Sequence, residues 1–386
     1  MIHSGAAWLC TLLDITIPLS FSHTAPRIIF AACTSLLISV ILGPPFLHLL
    51  TRLNINQPIR DDEGFLLADL HKNKQHTPTL GGALLVCSIL FSTIFWADWS
   101  SFFIPILVSS MLFFGTLGAI DDWMKLRYAN SKGLKGKIRF ILQTLFAFGI
   151  IFLLTKPELL FSKPHLLQHN RTLEWNAWMS ATFLPFLQNP LFIASGVAWV
   201  FIWFIQWLTI VGTANAVNLT DGLDGLATGC ICLVALPLTL FAFLSNHQEF
   251  SSQYSLVYIE SSGEIAVMLS ALIGAAIGFL WFNAYPALVF MGDTGSLAIG
   301  GLVGTAAVLM KQEWFLAMVG AIFVVETLSV ILQVLSFKHR RKRIFRCAPL
   351  HHHFEYVGIP EPKVVVRFWI IGILLATLGI ISIVTR

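Results

Sequence analysis

The sequence predicts an all-α, polytopic membrane protein of about ten transmembrane helices, on three observations. Apolar residues supply 56% of the 386 positions and Asp, Glu, Lys and Arg only 11%, against roughly 25% charged in an ordinary globular domain. So little charge cannot wet the surface of a soluble chain. Aromatic residues reach 13%, chiefly 32 Phe and 12 Trp, a content suited to lipid contact and interfacial belts. The apolar residues are also gathered into runs of about 20, the length that crosses a hydrocarbon core. A secreted disulfide scaffold, a disordered regulator and a basic nucleic-acid binder are thereby excluded.

Taken in order, the runs lie near 27 to 50, 80 to 98, 101 to 120, 138 to 155 and 191 to 211, then 225 to 244, 264 to 282, 295 to 310, 314 to 337 and 365 to 385. They are too long and too evenly apolar for the alternating strands of a barrel, so helices are the expected spanning form. No run of connecting residues is long enough for a soluble domain, and residues 1–386 read as a single integral membrane domain with catalytic cytoplasmic loops. The first twenty residues are apolar but lack a basic n-region and are interrupted by Asp14, which predicts an interfacial helix rather than a signal peptide. The six cysteines form no C-x-x-C pair and mostly sit in apolar runs, as buried small hydrophobes do.

Orientation follows from Lys and Arg, which mark cytoplasmic loops. Arg52, Arg60, Lys72 and Lys74 follow the first run. Lys125, Arg127, Lys132, Lys135, Lys137 and Arg139 follow the third. Lys338, Arg340, Arg341, Lys342, Arg343, Arg346 and Lys363 follow the ninth, making seventeen of the 24. Connections after odd-numbered spans are therefore expected in the cytoplasm, and both termini outside.

Five polar clusters all fall in those odd-numbered connections. They are Lys74 to Thr79, Asp121-Asp122, Asn215 to Asp224, Asp293, and His351 to His353. A transporter would place such groups near the bilayer midplane; here they gather at one membrane surface, where a lipid headgroup meets a water-soluble substrate. Asp121 and Asp122 close an apolar helix, where the dipole disfavours a carboxylate by a few tenths to about 1 kcal/mol. One reading is a local ion pair with Lys125, four residues on; the sharper one is a base or a pair of metal ligands, with Lys125 touching a phosphate.

Asn215, Asn218, Asp221 and Asp224 recur at every third position, so a helical turn would align them, although either aspartate alone could be an N-cap. Asp293 lies between small residues that would leave its carboxylate exposed, or is itself an N-cap. Asp and Asn ligands suit a hard cation such as Mg²⁺, which keeps waters and binds substrate phosphates. Consecutive histidines point in different directions, so hydrogen bonding to phosphate or sugar suits the triplet better than zinc. The basic run upstream of it reads as an anchor on anionic lipid. Glu326, inside the ninth run, is expected to be neutral or paired with a neighbouring span and to have no catalytic role. Acids, a divalent cation, lysines and histidines at a lipid surface suit phosphoryl transfer from a nucleotide-activated substrate to a lipid phosphate.

The motifs that carry a family likeness are Lys74-x-x-Thr-Pro-Thr79-Leu-Gly-Gly82, Asp121-Asp-x-x-Lys125, Asn215 to Ala227, Phe290-Met-Gly-Asp-Thr-Gly-Ser296 and Ala348-Pro-Leu-His-His-His-Phe-Glu355. With these, in this order, the chain resembles the bacterial phospho-N-acetylmuramoyl-pentapeptide transferases. The resemblance implies transfer of phospho-MurNAc-pentapeptide from UDP-MurNAc-pentapeptide to undecaprenyl phosphate with Mg²⁺, giving lipid I and UMP at the cytoplasmic face of the inner membrane. It implies Asp293 as the principal metal ligand and Asp121 and Asp122 as the catalytic pair, with Asp121 the base toward the lipid phosphate. Lys74, Thr79, Asn218, Asp221, Asp224, Asn283 and Phe290 would form the nucleoside and phosphate pocket, Lys125 and Lys137 would face phosphates, and His351, His352 and His353 would complete the site. Two departures from the family pattern, His76 and Leu80, bear on the first loop only. Direct attack is preferred over a phospho-aspartate intermediate, because a lipid phosphate is already ionised at neutral pH. The rival enzyme is a GlcNAc-1-phosphate transferase acting on the same lipid; an ion-coupled transporter is the rival from another class. A lipid-facing stripe could also support a homodimer.

Overall fold

The computed structural model describes residues 5, 23–53, 77–128, 133–156 and 175–386. The N-terminal interfacial helix, Lys74 and His76 lie outside them. Ten helices answer the ten apolar runs: α1 (Thr24–Arg52), α2 (Gly82–Trp96), α3 (Phe103–Arg127), α4 (Gly136–Thr155), α6 (Trp199–Thr220), α7 (Leu226–Ser245), α9 (Ser262–Asn283), α10 (Gly292–Leu309), α12 (Ala321–Arg340) and α14 (Glu361–Val384). Nine of these, among the described residues, are long and apolar enough to cross a membrane, and α2 is a shorter apolar helix. Short helices fill the connections: α5 (Trp175–Ser180), α8 (Gln248–Gln253), α11 (Glu313–Val319) and α13 (Leu350–Tyr356). The protein is an all-α, multi-pass membrane protein.

Two runs fold differently from expectation. The run from 191 begins as strand β2 (Phe192–Ile193), paired antiparallel with β1 (Ala181–Thr182), and α6 starts only at Trp199. The ninth run is broken at Gly320, whose missing side chain lets α11 end and α12 set off again. The cysteines also depart from the reading as core residues: Cys230 is buried, but Cys33 and Cys87 are exposed on the outer faces of α1 and α2.

The core is built around α9 and α10, whose side chains are almost all buried. Helix α9 packs on α1 and α7, and α10 packs on α3 and α6. Small residues permit this closeness. At the start of α10, Gly295 meets Gly82 of α2 so tightly that a Cβ on Gly82 would lie 2.2 Å from the Gly295 Cα. The peripheral helices α1, α4, α12 and α14 keep large apolar faces exposed, among them Leu145, Val334 and Leu374, as lipid contact requires.

Odd and even spans alternate in direction, so each end of the bundle has its own chemistry. At one end α1 is clamped to α9 by Arg27, whose guanidinium donates to both oxygens of Glu264 at 2.6 and 2.9 Å. Glu264 also accepts the Asp98 amide at 2.7 Å, and Lys311 pairs with Glu313 at 3.0 Å. The other end carries the described residues of the five polar clusters.

Candidate functional site

Successive residues of a helix point about 100° apart, so the adjacent Asp121 and Asp122 near the end of α3 serve different neighbours. Asp121 turns toward Lys125, one helical turn on, whose ammonium lies 2.7 Å from it. The same ammonium donates across the helix interface to Asp293 Oδ2 at 2.9 Å. Arg139 of α4 reaches that oxygen at 3.1 Å and Asp121 at 3.6 Å. Lys125 thus makes the local ion pair, one of the two readings of this segment, and it is also the bridge to Asp293. From α6, Asn218 donates to the other Asp293 oxygen at 2.7 Å and to Ser296 Oγ at 2.9 Å.

Asp122 turns into the start of α10. It accepts the backbone amides of Asp293 at 3.2 Å and Thr294 at 2.9 Å, and the Thr294 hydroxyl at 2.7 Å. Asp293 is not its helix's N-cap; it sits in the first turn, and no side chain at Met291 caps the helix. Nor is it left open by its small neighbours, since its side chain is only 17% exposed beneath Lys125 and Arg139.

The aspartates and asparagines at three-residue spacing do not form one row. Helix α6 ends at Thr220, and Gly225 takes a left-handed backbone (φ 77°) before α7 begins. Asn215 therefore points back into the bundle, donating to Gln143 at 2.8 Å, while Asn218 alone joins Asp293. Asp224 accepts the Ala287 amide at 3.0 Å, and its own amide donates to Glu361 at 2.8 Å. Asn283 closes the same corner, accepting from Thr228 at 2.7 Å and donating to the Val289 carbonyl at 2.9 Å. Asp221 stays in the connection. Burial, reinforced by the charges of Asp293, Asp122 and Asp224, pushes its carboxyl up to about 8.

The first cluster reaches the site through backbone pairing. Pro78 accepts the Phe290 amide at 2.9 Å, and the Gly81 and Gly82 amides donate to Phe290 and Met291 carbonyls at 2.9 and 2.8 Å. Thr79 is thereby buried beside Gly292, which itself has a left-handed backbone (φ 72°). The histidines diverge as expected. His351 is fully buried; its backbone amide and Nδ1 meet the two oxygens of Glu326 at 3.1 and 3.2 Å, and its Nε2 lies against Gly222. Glu326 is thus paired, although with a connecting helix rather than a span. His352 meets Glu355 at 2.7 Å, and His353 accepts the Arg346 amide at 3.1 Å. Lys137 stands exposed at the start of α4.

The described residues of all five clusters are thus joined at one end of the bundle, Lys74 lying outside them. Sequence reasoning used Arg139 only as a marker of orientation and Thr294 and Ser296 only as small residues; their position beside Asp293 in the motif was the available signal. Among the described residues, no group of three or more His, Cys, Asp or Glu is disposed to hold a metal ion alone. Nitrogen donors from Lys125, Arg139 and Asn218 meet the Asp293 carboxylate. The carboxylates of Asp293 and Asp121 are themselves hard oxygen ligands, however, and Mg²⁺ is commonly held by one or two carboxylates with water and substrate phosphate completing the shell. The residues fit a cation that arrives with its phosphate.

Comparison with known proteins gives concordant results. The glycosyl transferase family 4 profile matches residues 104–311. The phospho-N-acetylmuramoyl-pentapeptide-transferase of Protochlamydia amoebophila is 44% identical over 99% of both chains. The proteins of that name from Citrifermentans bemidjiense and a Geobacter species are each 42% identical over 95% of both chains.

Proposed function

The chain belongs to the phospho-N-acetylmuramoyl-pentapeptide-transferase family, and on that premise we propose that it transfers phospho-MurNAc-pentapeptide from UDP-MurNAc-pentapeptide to undecaprenyl phosphate, giving lipid I and UMP. The observation that carries the reading at the level of chemistry is the Lys125 bridge, one ammonium 2.7 Å from Asp121 and 2.9 Å from Asp293. It joins carboxylates from two helices at the end of a membrane bundle, where a lipid phosphate and a soluble nucleotide can meet. The bias of Lys and Arg toward that end supports the cytoplasmic face of the bacterial inner membrane.

In this reading residues 1–386 act as one membrane domain, and Asp293 is the principal ligand of Mg²⁺, which when bound neutralises charge on the diphosphate. Phosphoryl transfer needs mainly positioning and charge compensation, and the cationic side chains are placed for it. Lys125 has three donors, so it can keep one carboxylate and give a hydrogen bond to an incoming phosphate oxygen. Arg139, from another helix, offers a second cation to the same oxygens. Asp121 and Asp122 form the carboxylate pair, with Asp121 toward the lipid phosphate. That phosphate is already ionised at neutral pH, which favours direct attack. Lys74, Thr79, Asn218, Asp221, Asp224, Asn283, Phe290 and His351 bind the nucleoside and its phosphates; Lys137 faces phosphates, and His352 and His353 complete the catalytic site.

The test is a UMP-release assay on the purified protein with undecaprenyl phosphate, Mg²⁺ and each nucleotide sugar. Release with UDP-MurNAc-pentapeptide, lost on chelation, is expected. Lipid product from UDP-GlcNAc alone would replace this reading with the GlcNAc-1-phosphate one.

A further inference from the structure

The first turn of α10 has a problem that its own sequence does not solve. A helix N-terminus leaves backbone N–H groups without intrahelical partners, and the N-cap position, Met291, offers no side-chain acceptor. The acceptor comes instead from another helix. Asp122 of α3 takes the amides of Asp293 and Thr294 on separate oxygens, at 3.2 and 2.9 Å, and the oxygen that receives the Thr294 amide also receives the Thr294 hydroxyl at 2.7 Å. A carboxylate at a helix N-terminus is favoured by the dipole, and hydrogen bonds to a charged acceptor are about twice as strong as neutral ones. Asp122 is 5% exposed. Its three donors all belong to α10, and Lys125 stands off at 4.0 Å.

This arrangement separates the tasks of the two adjacent carboxylates. Asp121 joins the cations around Asp293, whereas Asp122 grips the backbone that carries Asp293. The Asp293 side chain leaves the gripped turn on its other side, toward Lys125, Arg139 and Asn218. Thr294 contributes two of the three donors, its amide and its hydroxyl, the hydroxyl being the one side-chain donor among them.

We propose that Thr294 is a positioning residue of the transfer reaction, forming with Asp122 a cap between helices that aims the Asp293 carboxylate. The inference rests on the functional reading given above for Asp293, and it predicts effects both on activity and independently of it. Thr294→Val keeps the shape and the amide but removes the hydroxyl donor. We expect it to lower kcat about tenfold, the order of effect of one hydrogen bond to a buried charge, to raise the Mg²⁺ concentration for half-maximal activity, and to leave KM for the nucleotide sugar nearly unchanged. Thr294→Ser should restore all three. Hydrogen exchange of the amides of residues 293 to 295 should quicken in Thr294→Val and more so in Asp122→Asn, with the rest of α10 still protected. In the Asp122→Asn background, Thr294→Val should add little, because both changes break the same contact.

Wild-type kcat and Mg²⁺ dependence in Thr294→Val, unchanged exchange at 293 to 295, or fully additive losses in the double variant would each overturn the cap. If the wild-type chain releases no UMP while the exchange pattern follows expectation, the functional reading fails and the cap stands as architecture only, so the positioning role is overturned with it.

Discussion

The two ends of the bundle use buried charge in opposite ways. At the Arg27 end the pairing is closed: one guanidinium meets both oxygens of Glu264, and that carboxylate also accepts the Asp98 amide. At the Asp293 end the pairing is shared. Lys125 and Arg139 divide themselves between Asp121 and Asp293, and Asp221 adds a carboxyl held near neutrality by burial. A closed pair fastens helices together, while a shared one can exchange a carboxylate contact for a phosphate oxygen.

The contrast can be broken most forcefully at Asp293. Asp293→Asn should lower UMP release by at least about 10³-fold, the scale of losing a principal electrostatic group, with membrane insertion unchanged. Wild-type turnover would remove Asp293 from the reaction. At the closed end the loss should appear in stability instead. Removing one partner of a buried ion pair costs about 3 to 5 kcal/mol, so Arg27→Leu should unfold at markedly lower temperature in detergent. Arg27→Leu combined with Glu264→Leu should recover most of that loss, since apolar replacement of both partners is often nearly neutral. Lys125→Leu with Asp293→Leu should stay inactive however well it folds. Recovery of activity in that double variant would erase the distinction between the ends.

Arg139→Ala should cost about tenfold in kcat, the worth of one charge-assisted contact, because Lys125 still bridges the carboxylates; a loss as large as that of Asp293→Asn would show the two cations acting as one. The smallest effect concerns pH. The Asp221 carboxyl is raised from 3.8 to about 8 in the folded protein, so the folded state keeps a proton that the unfolded chain releases. The associated stability is complete below about pH 4 and is lost as pH climbs through about 8. Asp221→Asn has no such proton to lose. Measured with chelator present, its unfolding temperature should gain on the wild type between pH 5 and 8 and hold a constant lead above; parallel curves would contradict the shift.

The spans were legible because length and apolarity alone decide whether a helix can cross a bilayer, and ten helices fall on the ten runs, with the largest departures at Gly320, at Trp199 and at the ends of α3 and α6. The gathering of Asp121, Asp293, Asn218 and the 351 to 353 segment at one end was legible from orientation. Side-chain direction was not. Regular spacing from Asn215 to Asp224 suggested one polar row, but the helix stops at Thr220, and the four residues find four different environments. Asp121 and Asp122 look equivalent in sequence, and only the position of α10 separates them. Arg139 joins the acids by tertiary packing of α4, which no local pattern announces.

The contact between Gly82 and Gly295 makes the site sensitive to a change far smaller than a charge. A methyl on Gly82 would need more than an ångström of extra room to reach ordinary separation, because 2.2 Å is available where carbon atoms rest at about 3.5 Å or beyond. The helix that would yield is the one bearing Asp293. Alanine at either glycine would act as a wedge, prying the carboxylate from its cations without touching an ionisable atom.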